Sequence, residues 1–369
     1  MPITTGATAE TVALYRWMLT AKKHRRSALG ISDMLRGMPS GGATPAPTPT
    51  LYETQQVFFD QTGRWPGVFS MEYHDPAWSN RYGSAGTDYI RASMIQAAER
   101  GAILSLHNHP GNPATGQLSR NGLSWSDSAT NTGNFGDRNG SPLASIKTGG
   151  AQEAQFLAFL DRLADFINSL VDSKGRKIPL VLRMFHECGN GTWFWWNGAD
   201  RAADMILVWR KMVDYLRSKG LTNVLYCWNV NVQASDNFFP WWPGSAYVDV
   251  ISIDQYDNRD SADINLDGAS SYMQPCWNFL KGYATSANRP LAIAEMGYQY
   301  TATRGSSTLW TERTGDRIWN KYPETCFTCL WPTPYGPGPN DPLAVKDSLK
   351  ALADNPNALT ADKLFGAFR

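Results

Sequence analysis

Two glutamates stand at the ends of apolar runs, each placed where a carboxylate does chemistry more readily than packing. The first, Glu187, lies in Leu182-Arg183-Met184-Phe185-His186-Glu187-Cys188-Gly189-Asn190-Gly191-Thr192-Trp193-Phe194-Trp195-Trp196. Read as a strand with alternating faces, this run puts Arg183, Phe185 and Glu187 on one side, the carboxylate outermost and a cation two pleats below. A structural ion pair is the bland reading. The crowd of tryptophans beyond Glu187 favours a site, because indole rings are flat platforms for hydroxylated ligands. The His186-Glu187 pair is not half of a zinc protease motif: H-E-x-x-H needs a second histidine, and position 190 is Asn190. The second carboxylate is Glu295 in Ala292-Ile293-Ala294-Glu295-Met296-Gly297-Tyr298, where nothing inside the run neutralises it. Two inward-pointing carboxyls about 5 to 5.5 Å apart, one protonated and one ionised, are the machinery of a retaining glycosidase.

Weaker motifs call for less. Asp263-Ile264-Asn265-Leu266-Asp267-Gly268 matches the first half of a calcium loop, but its twelfth position is Gln274 instead of a bidentate glutamate, so a polar turn is expected. Cys326 and Cys329 form a C-x-x-C without the second ligand pair that a structural zinc site needs. The five cysteines are odd in number, so at least one is unpaired within the chain. No metal or cofactor is expected.

The elements that must carry these residues follow from apolar patterning. Near-continuous apolar runs at 66–74, 102–109, 179–187, 223–230, 248–256, 290–296 and 325–331 suit parallel strands buried on both faces. Helix-like segments at 88–100, 153–171, 200–218, 270–284 and 312–320 lie between most of them; Phe156, Leu157, Leu160, Leu163, Ala164 and Ile167 repeat with the helical period. A first strand at 29–32, after a helix at 10–23, makes eight. Eight strands alternating with helices predict one (β/α)8 TIM barrel over residues 1–369, with long loops on the carboxyl-terminal face and no separate carbohydrate-binding module. The loop 37–50 is Pro- and Gly-rich but follows too few residues to mark a domain boundary. The stretch 110–150, rich in Gly, Asn and Ser, follows the third strand on the face where barrels place their sites. The interval 230–248 is too short for a full helix.

Composition narrows the function. Thirty-four Lys and Arg against 33 Asp and Glu give a net charge of +1, too little field to hold nucleic acid or an anionic membrane. Only 18% of residues are charged, while Phe, Trp and Tyr number 15 each, an excess that suits sugar platforms or core. No apolar run approaches a membrane span. Met1-Pro2-Ile3-Thr4 shows no basic start followed by an apolar stretch, which fits a secreted protein whose leader lies outside this sequence, or a cytosolic one.

At this point the residues become recognisable. The run from Arg183 to Trp196, His109-Pro110-Gly111-Asn112-Pro113 after the third strand, Val248-Asp249-Val250-Ile251-Ser252-Ile253-Asp254-Gln255-Tyr256 and Ala294-Glu295-Met296-Gly297 together resemble glycoside hydrolase family 26, mainly endo-β-1,4-mannanases. The resemblance runs in order from about Thr11 to the final strand. It implies that Glu187 is the acid/base and Glu295 the nucleophile. It likewise implies that His109, Arg183 and His186 contact the sugar or orient the glutamates, and that Tyr256 hydrogen-bonds the nucleophile. Trp331 would floor the sugar that reacts, and Trp193, Trp196 and Trp228 would line neighbouring subsites; alone, a Trp or Tyr on a strand is more often core. The loop after Glu187 is one residue longer than the family's usual form, and Glu72 stands where the family usually has Asp.

The expectation is therefore a monomeric, secreted, endo-acting retaining hydrolase of β-1,4-mannan, glucomannan or galactomannan. A hydrolase of β-xylan or mixed-linkage β-glucan keeps both glutamates and changes only loops. A non-catalytic carbohydrate-binding protein would keep the tryptophans without needing both glutamates.

Overall fold

The computed structural model describes residues 1–33, 53–73, 75, 83–115, 136, 138–191, 193–232, 238–257, 273–298, 315, 317–331, 346–364 and 366–367. The loop 37–50, the calcium-like turn at 263–268, most of 110–150 and residues 312–314 and 316 of the helix expected at 312–320 lie outside them; the rest of that helix is described, with a π-helical turn at Arg317–Lys321. Eight parallel strands close on themselves: β1 (Ser27–Asp33), β2 (Val68–Glu72), β3 (Ile103–His107), β4 (Leu180–Arg183), β5 (Val224–Asn231), β6 (Val250–Asp257), β7 (Leu291–Tyr298) and β8 (Thr325–Leu330). Each pairs with the next, and β1 pairs with both β2 and β8, so no edge of the barrel is left open. A two-residue strand, β9 (Ala358–Leu359), adds to β1. This is the (β/α)8 barrel expected from the apolar runs.

Between strands run α2 (Glu53–Thr62), α3 (Gly83–Arg100), α5 (Glu153–Asn168), α6 (Ala202–Ser218) and α7 (Met273–Ala287), with α4 (Pro142–Ile146) a short turn before α5. In α5 the buried set is Phe156, Phe159, Leu160, Leu163, Ala164, Phe166 and Ile167, with Leu157 at its edge rather than in it. Between β5 and β6 the described residues form two 3-10 turns, Phe239–Trp241 and Ser245–Tyr247, in place of a helix.

One end of the barrel is plugged, which leaves the other for chemistry. The first helix, α1 (Ala9–His24), begins at Thr8, whose hydroxyl accepts the Thr11 N–H. Its Leu14, Tyr15, Met18 and Ala21 share a core cluster with Ala28, Val68, Ile103, Val181, Leu225, Val250, Ala292 and Phe327. These lie near the amino-terminal ends of all eight strands. Asp249 helps to fasten the preceding segment by accepting the Ile3 N–H at 2.7 Å.

Strand parity decides which side chains enter the barrel. In β5, Leu225 and Cys227 belong to this inner cluster, whereas Val224, Tyr226, Trp228 and Val230 join the outer core beneath the helices. Trp228 is 1% exposed and stands edge-on to Trp242, ring centroids 5.0 Å apart. It offers no face to a sugar, so the expectation that it lines a subsite is corrected. Trp228→Ala should lower stability by about 3–5 kcal/mol, the range for emptying an aromatic core position, read from chemical denaturation. The Michaelis constant for oligosaccharides should stay within twofold; a large rise in it would restore Trp228 to the binding surface.

Candidate active site

Both glutamates reach the barrel's interior through breaks in strand regularity. β4 ends at Arg183, not at position 187. Its pairing with β5 stops at Leu182↔Tyr226 and resumes only at the bridge Cys188↔Val230, so six steps of one chain oppose four of the other. The two extra residues are taken up in a turn where Phe185 and Glu187 adopt left-handed backbone, φ 47° and 55°. Arg183, Phe185 and Glu187 therefore do not share a face. Phe185 packs outward against Phe156, Trp195 and Trp196, while Arg183 is enclosed at 0% exposure. In β7 the register advances from Ile253↔Ile293 to Asp254↔Glu295, a one-residue bulge. By plain alternation Glu295 would face the helices with Leu291 and Ile293; the bulge turns it beside Asp254 inside the barrel.

Within this interior three carboxylates surround one cation. Arg183 donates from Nη1 to Asp254 Oδ2 at 2.6 Å and from Nη2 to Glu295 Oε1. The bland reading, a structural ion pair between Arg183 and Glu187, is not met: the partners of Arg183 are Glu295 and Asp254. Glu187, Asp254 and Glu295 each bring one carboxylate oxygen to within 4.8 Å of the others. One guanidinium cannot balance all three. Burial and the charge of Glu295 push Glu187 up to about 7, against hydrogen bonds from Asn231 and Trp193 and the pull of Arg183. Asp254 is driven well above the usual carboxylate range by burial, with Arg183 opposing and Glu295 and Glu187 adding to it.

A histidine pair forms the adjoining wall. His109 Nδ1 lies 3.0 Å from Glu72 Oε1, and its Nε2 lies 3.0 Å from His186 Nε2. Burial lowers His109, but the Glu72 carboxylate outweighs that and leaves it raised. His186 is held well below its ordinary value by burial and the positive neighbours His109 and Arg183, so it stays neutral. Trp193 is half-buried and donates Nε1–H to Glu187 Oε2. Gly191 permits this pose, since a Cβ there would lie 2.2 Å from the Trp193 ring. Trp331 is half-buried beyond β8, its ring centroid 5.2 Å from that of His107. Trp196 is fully enclosed, stacked on Phe194 at 4.3 Å with Nε1–H donated to the His186 carbonyl. It orients the turn that carries Glu187 and cannot line a subsite, which corrects that expectation. Tyr256 stands in β6 opposite Gly297, and its side chain lies outside the described residues.

Comparison with known proteins follows this geometry closely. The family model for glycosyl hydrolase family 26 matches residues 3–271. The chain belongs to that family. A mannan endo-1,4-β-mannosidase of Bifidobacterium adolescentis is 25% identical over 334 residues, covering 84% of this chain and 31% of that protein. The chain thus spans about a third of that relative's length. Two solved structures share the fold. The catalytic domain of a family 26 endo-β-1,4-mannanase from Bacillus sp. JAMB-750 is 22% identical with a TM-score of 0.78, covering 100% of this chain and 95% of that one. A family 26 β-mannanase from Bacteroides ovatus is 24% identical with a TM-score of 0.75, covering 98% of each chain.

Of the residues that the family 26 resemblance singles out, Glu187, Glu295, Arg183, His109, His186 and Trp193 meet in one cluster, and Trp331 joins it through His107. Asp254, Asn229, Asn231 and His107 belong to the same cluster and were not singled out in the sequence. Their signal was parity: Asn229 and Asn231 fall on the barrel side of β5, polar where Leu225 and Cys227 are apolar. As possible metal donors, Glu72, His107 and His109 also bring one atom each within 4.8 Å. In the first set Arg183 pairs with two of the three carboxylates, Asp254 and Glu295, and in the second the Glu72 carboxylate pairs with the raised His109. The five cysteines are buried, and burial pushes each thiol with a resolved shift upward, away from the reactive thiolate.

Proposed function

We propose that this chain is an endo-acting, retaining hydrolase of β-1,4-mannan, glucomannan or galactomannan. The observation that carries the mechanism is the approach of Glu187 and Glu295 oxygens to within 4.8 Å. That spacing suits direct attack by a carboxylate; an inverting pair stands about 6.5–9.5 Å apart to leave room for water. Glu187, kept protonated near neutrality, gives its proton to the glycosidic oxygen as a Glu295 oxygen bonds to the anomeric carbon and the leaving sugar departs. Glu187, now ionised, takes a proton from water. The resulting hydroxide bonds to the anomeric carbon and expels Glu295, restoring both groups. Arg183 fixes the Glu295 carboxylate for attack. The named activity of the Bifidobacterium relative supports mannan as substrate and internal cleavage. Of the four tryptophans expected to contact sugar, Trp193 and Trp331 are the available platforms, since Trp196 and Trp228 are enclosed. His109, which is partly exposed, stands where it can meet the axial 2-hydroxyl that separates mannose from glucose, while the enclosed Arg183 and His186 hold Glu295 and His109 in place.

A polymer substrate is met outside the cell, which supports a secreted protein; no described helix is long and apolar enough to cross a membrane. We read the chain as a monomeric catalytic barrel. A binding protein without turnover has no use for a buried carboxyl held protonated beside a second carboxylate. Product length over time on linear mannan, xylan and mixed-linkage glucan tests the reading. Early release of mixed manno-oligosaccharides with a rapid fall in viscosity is expected. Faster cleavage of xylan or glucan would move the assignment to those backbones, and no cleavage of any would leave only binding.

A further inference from the structure

β5 ends Asn229-Val230-Asn231, and its parity sends both asparagines into the barrel while Val230 packs outward. Asn229 is fully buried and uses both ends of its amide. Its Oδ1 accepts the Glu187 backbone N–H at 2.6 Å and lies 3.4 Å from Arg183 Nη1; its Nδ2 donates to Ser252 Oγ and Asp254 Oδ1, each at 2.8 Å. Only this orientation of the amide satisfies an N–H donor on one side and a carboxylate on the other. The Asn229 carbonyl also accepts the Cys188 N–H at 2.9 Å. The Glu187 backbone, with φ 55°, is thereby held from both sides in a region that non-glycine residues seldom adopt. Two residues on, Asn231 Nδ2 donates to Glu187 Oε1 at 2.6 Å.

We infer that Asn229 and Asn231 are positioning residues for the acid/base: Asn229 fixes the Glu187 backbone, and Asn231, donating to Oε1 while Trp193 donates to Oε2, fixes the rotation of the Glu187 carboxyl. This rests on the reading of Glu187 as the acid/base. A carboxyl free to turn about its own axis would point its proton away from the glycosidic oxygen part of the time. Donors on both oxygens, the Asn231 amide at Oε1 and the Trp193 indole at Oε2, hold it in one plane. The Asn231 amide also favours the ionised form and so opposes burial, which raises Glu187, and the Glu295 charge, which raises it further. The charged groups around Glu187 are Arg183 from β4, Asp254 from β6 and Glu295 from β7. His186 and His109, with Glu72 beyond them, complete the wall on the β2 and β3 side.

The test uses Asn231→Ala, because Asn231 is half-buried and its loss leaves the Asn229 network whole. Turnover of linear mannan should fall by about tenfold or more, within the range for a misplaced general acid. Turnover of a dinitrophenyl β-mannobioside, whose leaving group needs no proton, should fall several-fold less. The alkaline limb of kcat/KM should move up by about half a pH unit or more, since a group that favours the ionised form has gone. An unmoved limb, or an equal loss on both substrates, overturns the inference. Glu187→Ala measured alongside separates the two readings. If azide accelerates that variant on the activated substrate while Asn231→Ala moves nothing, only the role of Asn231 fails; if azide has no effect there, the acid/base assignment itself is wrong.

Discussion

Glu295→Ala is expected to abolish turnover on every substrate and at every pH, whereas Glu187→Ala is expected to divide substrates by leaving group. Without Glu295 no carboxylate in reach can bond to the anomeric carbon: Asp254 is held in place by Arg183 and Asn229 and driven toward its neutral form. Without Glu187 the first bond can still break when the departing oxygen is a stable anion, so an activated aryl glycoside should form the glycosyl enzyme and then stall for want of a base. Azide should release it as a glycosyl azide of retained configuration. On mannan itself the loss should be about 10²–10⁴-fold, the usual contribution of a positioned acid. Neither change should unfold the barrel. Arg183 keeps Asp254 when Glu295 is removed, and Asn229 keeps the backbone of residue 187 when its side chain is gone. Thermal unfolding of both variants checks this, and equal loss on all substrates would show the roles to be misassigned.

The barrel was legible because a closed parallel sheet buries every strand on both faces, and eight apolar runs separated by helical periods have few other ways to pack. The two glutamates were legible as isolated charges in apolar runs. Their surroundings were not, because the information lies in departures from regularity. The two-residue turn after Arg183 breaks the alternation that placed Arg183 under Glu187, and the bulge at Glu295 reverses a face. A one-residue change of register moves every later side chain to the opposite side, so the true partner of Arg183 could not be read from spacing alone. Trp228 illustrates the opposite case. Its neighbours Tyr226 and Val230 share its parity, and following period two along β5 assigns it to the outer core and Asn229 and Asn231 to the interior. Trp196 is harder: in an aromatic loop nothing in the sequence distinguishes the ring that stacks on Phe194 from the one that reaches Glu187.

The second large effect expected is on pH. Glu187 must hold its proton for the first step, so kcat/KM should fall as pH rises through about 7, and Glu187→Ala acting on an activated substrate should lack that limb. Burial is the main cause of the high value and the Glu295 charge the next, so Glu295→Gln should lower the Glu187 midpoint by about one pH unit in a carbon-13 titration of the carboxyl. Catalysis itself makes the same change. In the proposed mechanism Glu295 becomes an ester and its charge is gone, so Glu187 loses part of what holds its proton, and the acid of the first step becomes the base of the second. The linkage to stability has a definite sign. A carboxyl whose folded value is raised contributes stability that is complete below its unfolded value near 4.5 and is lost as pH rises through about 7. Ionised Glu187 should therefore cost the fold about 3 kcal/mol at pH 8. Glu187→Gln, which keeps the volume without the charge, should unfold at higher temperature than the parent at pH 8, with the difference closing by pH 5. A difference independent of pH, or a Glu187 midpoint unmoved in Glu295→Gln, would mean that the two carboxylates do not sense each other and that the proton is not passed between roles in this way.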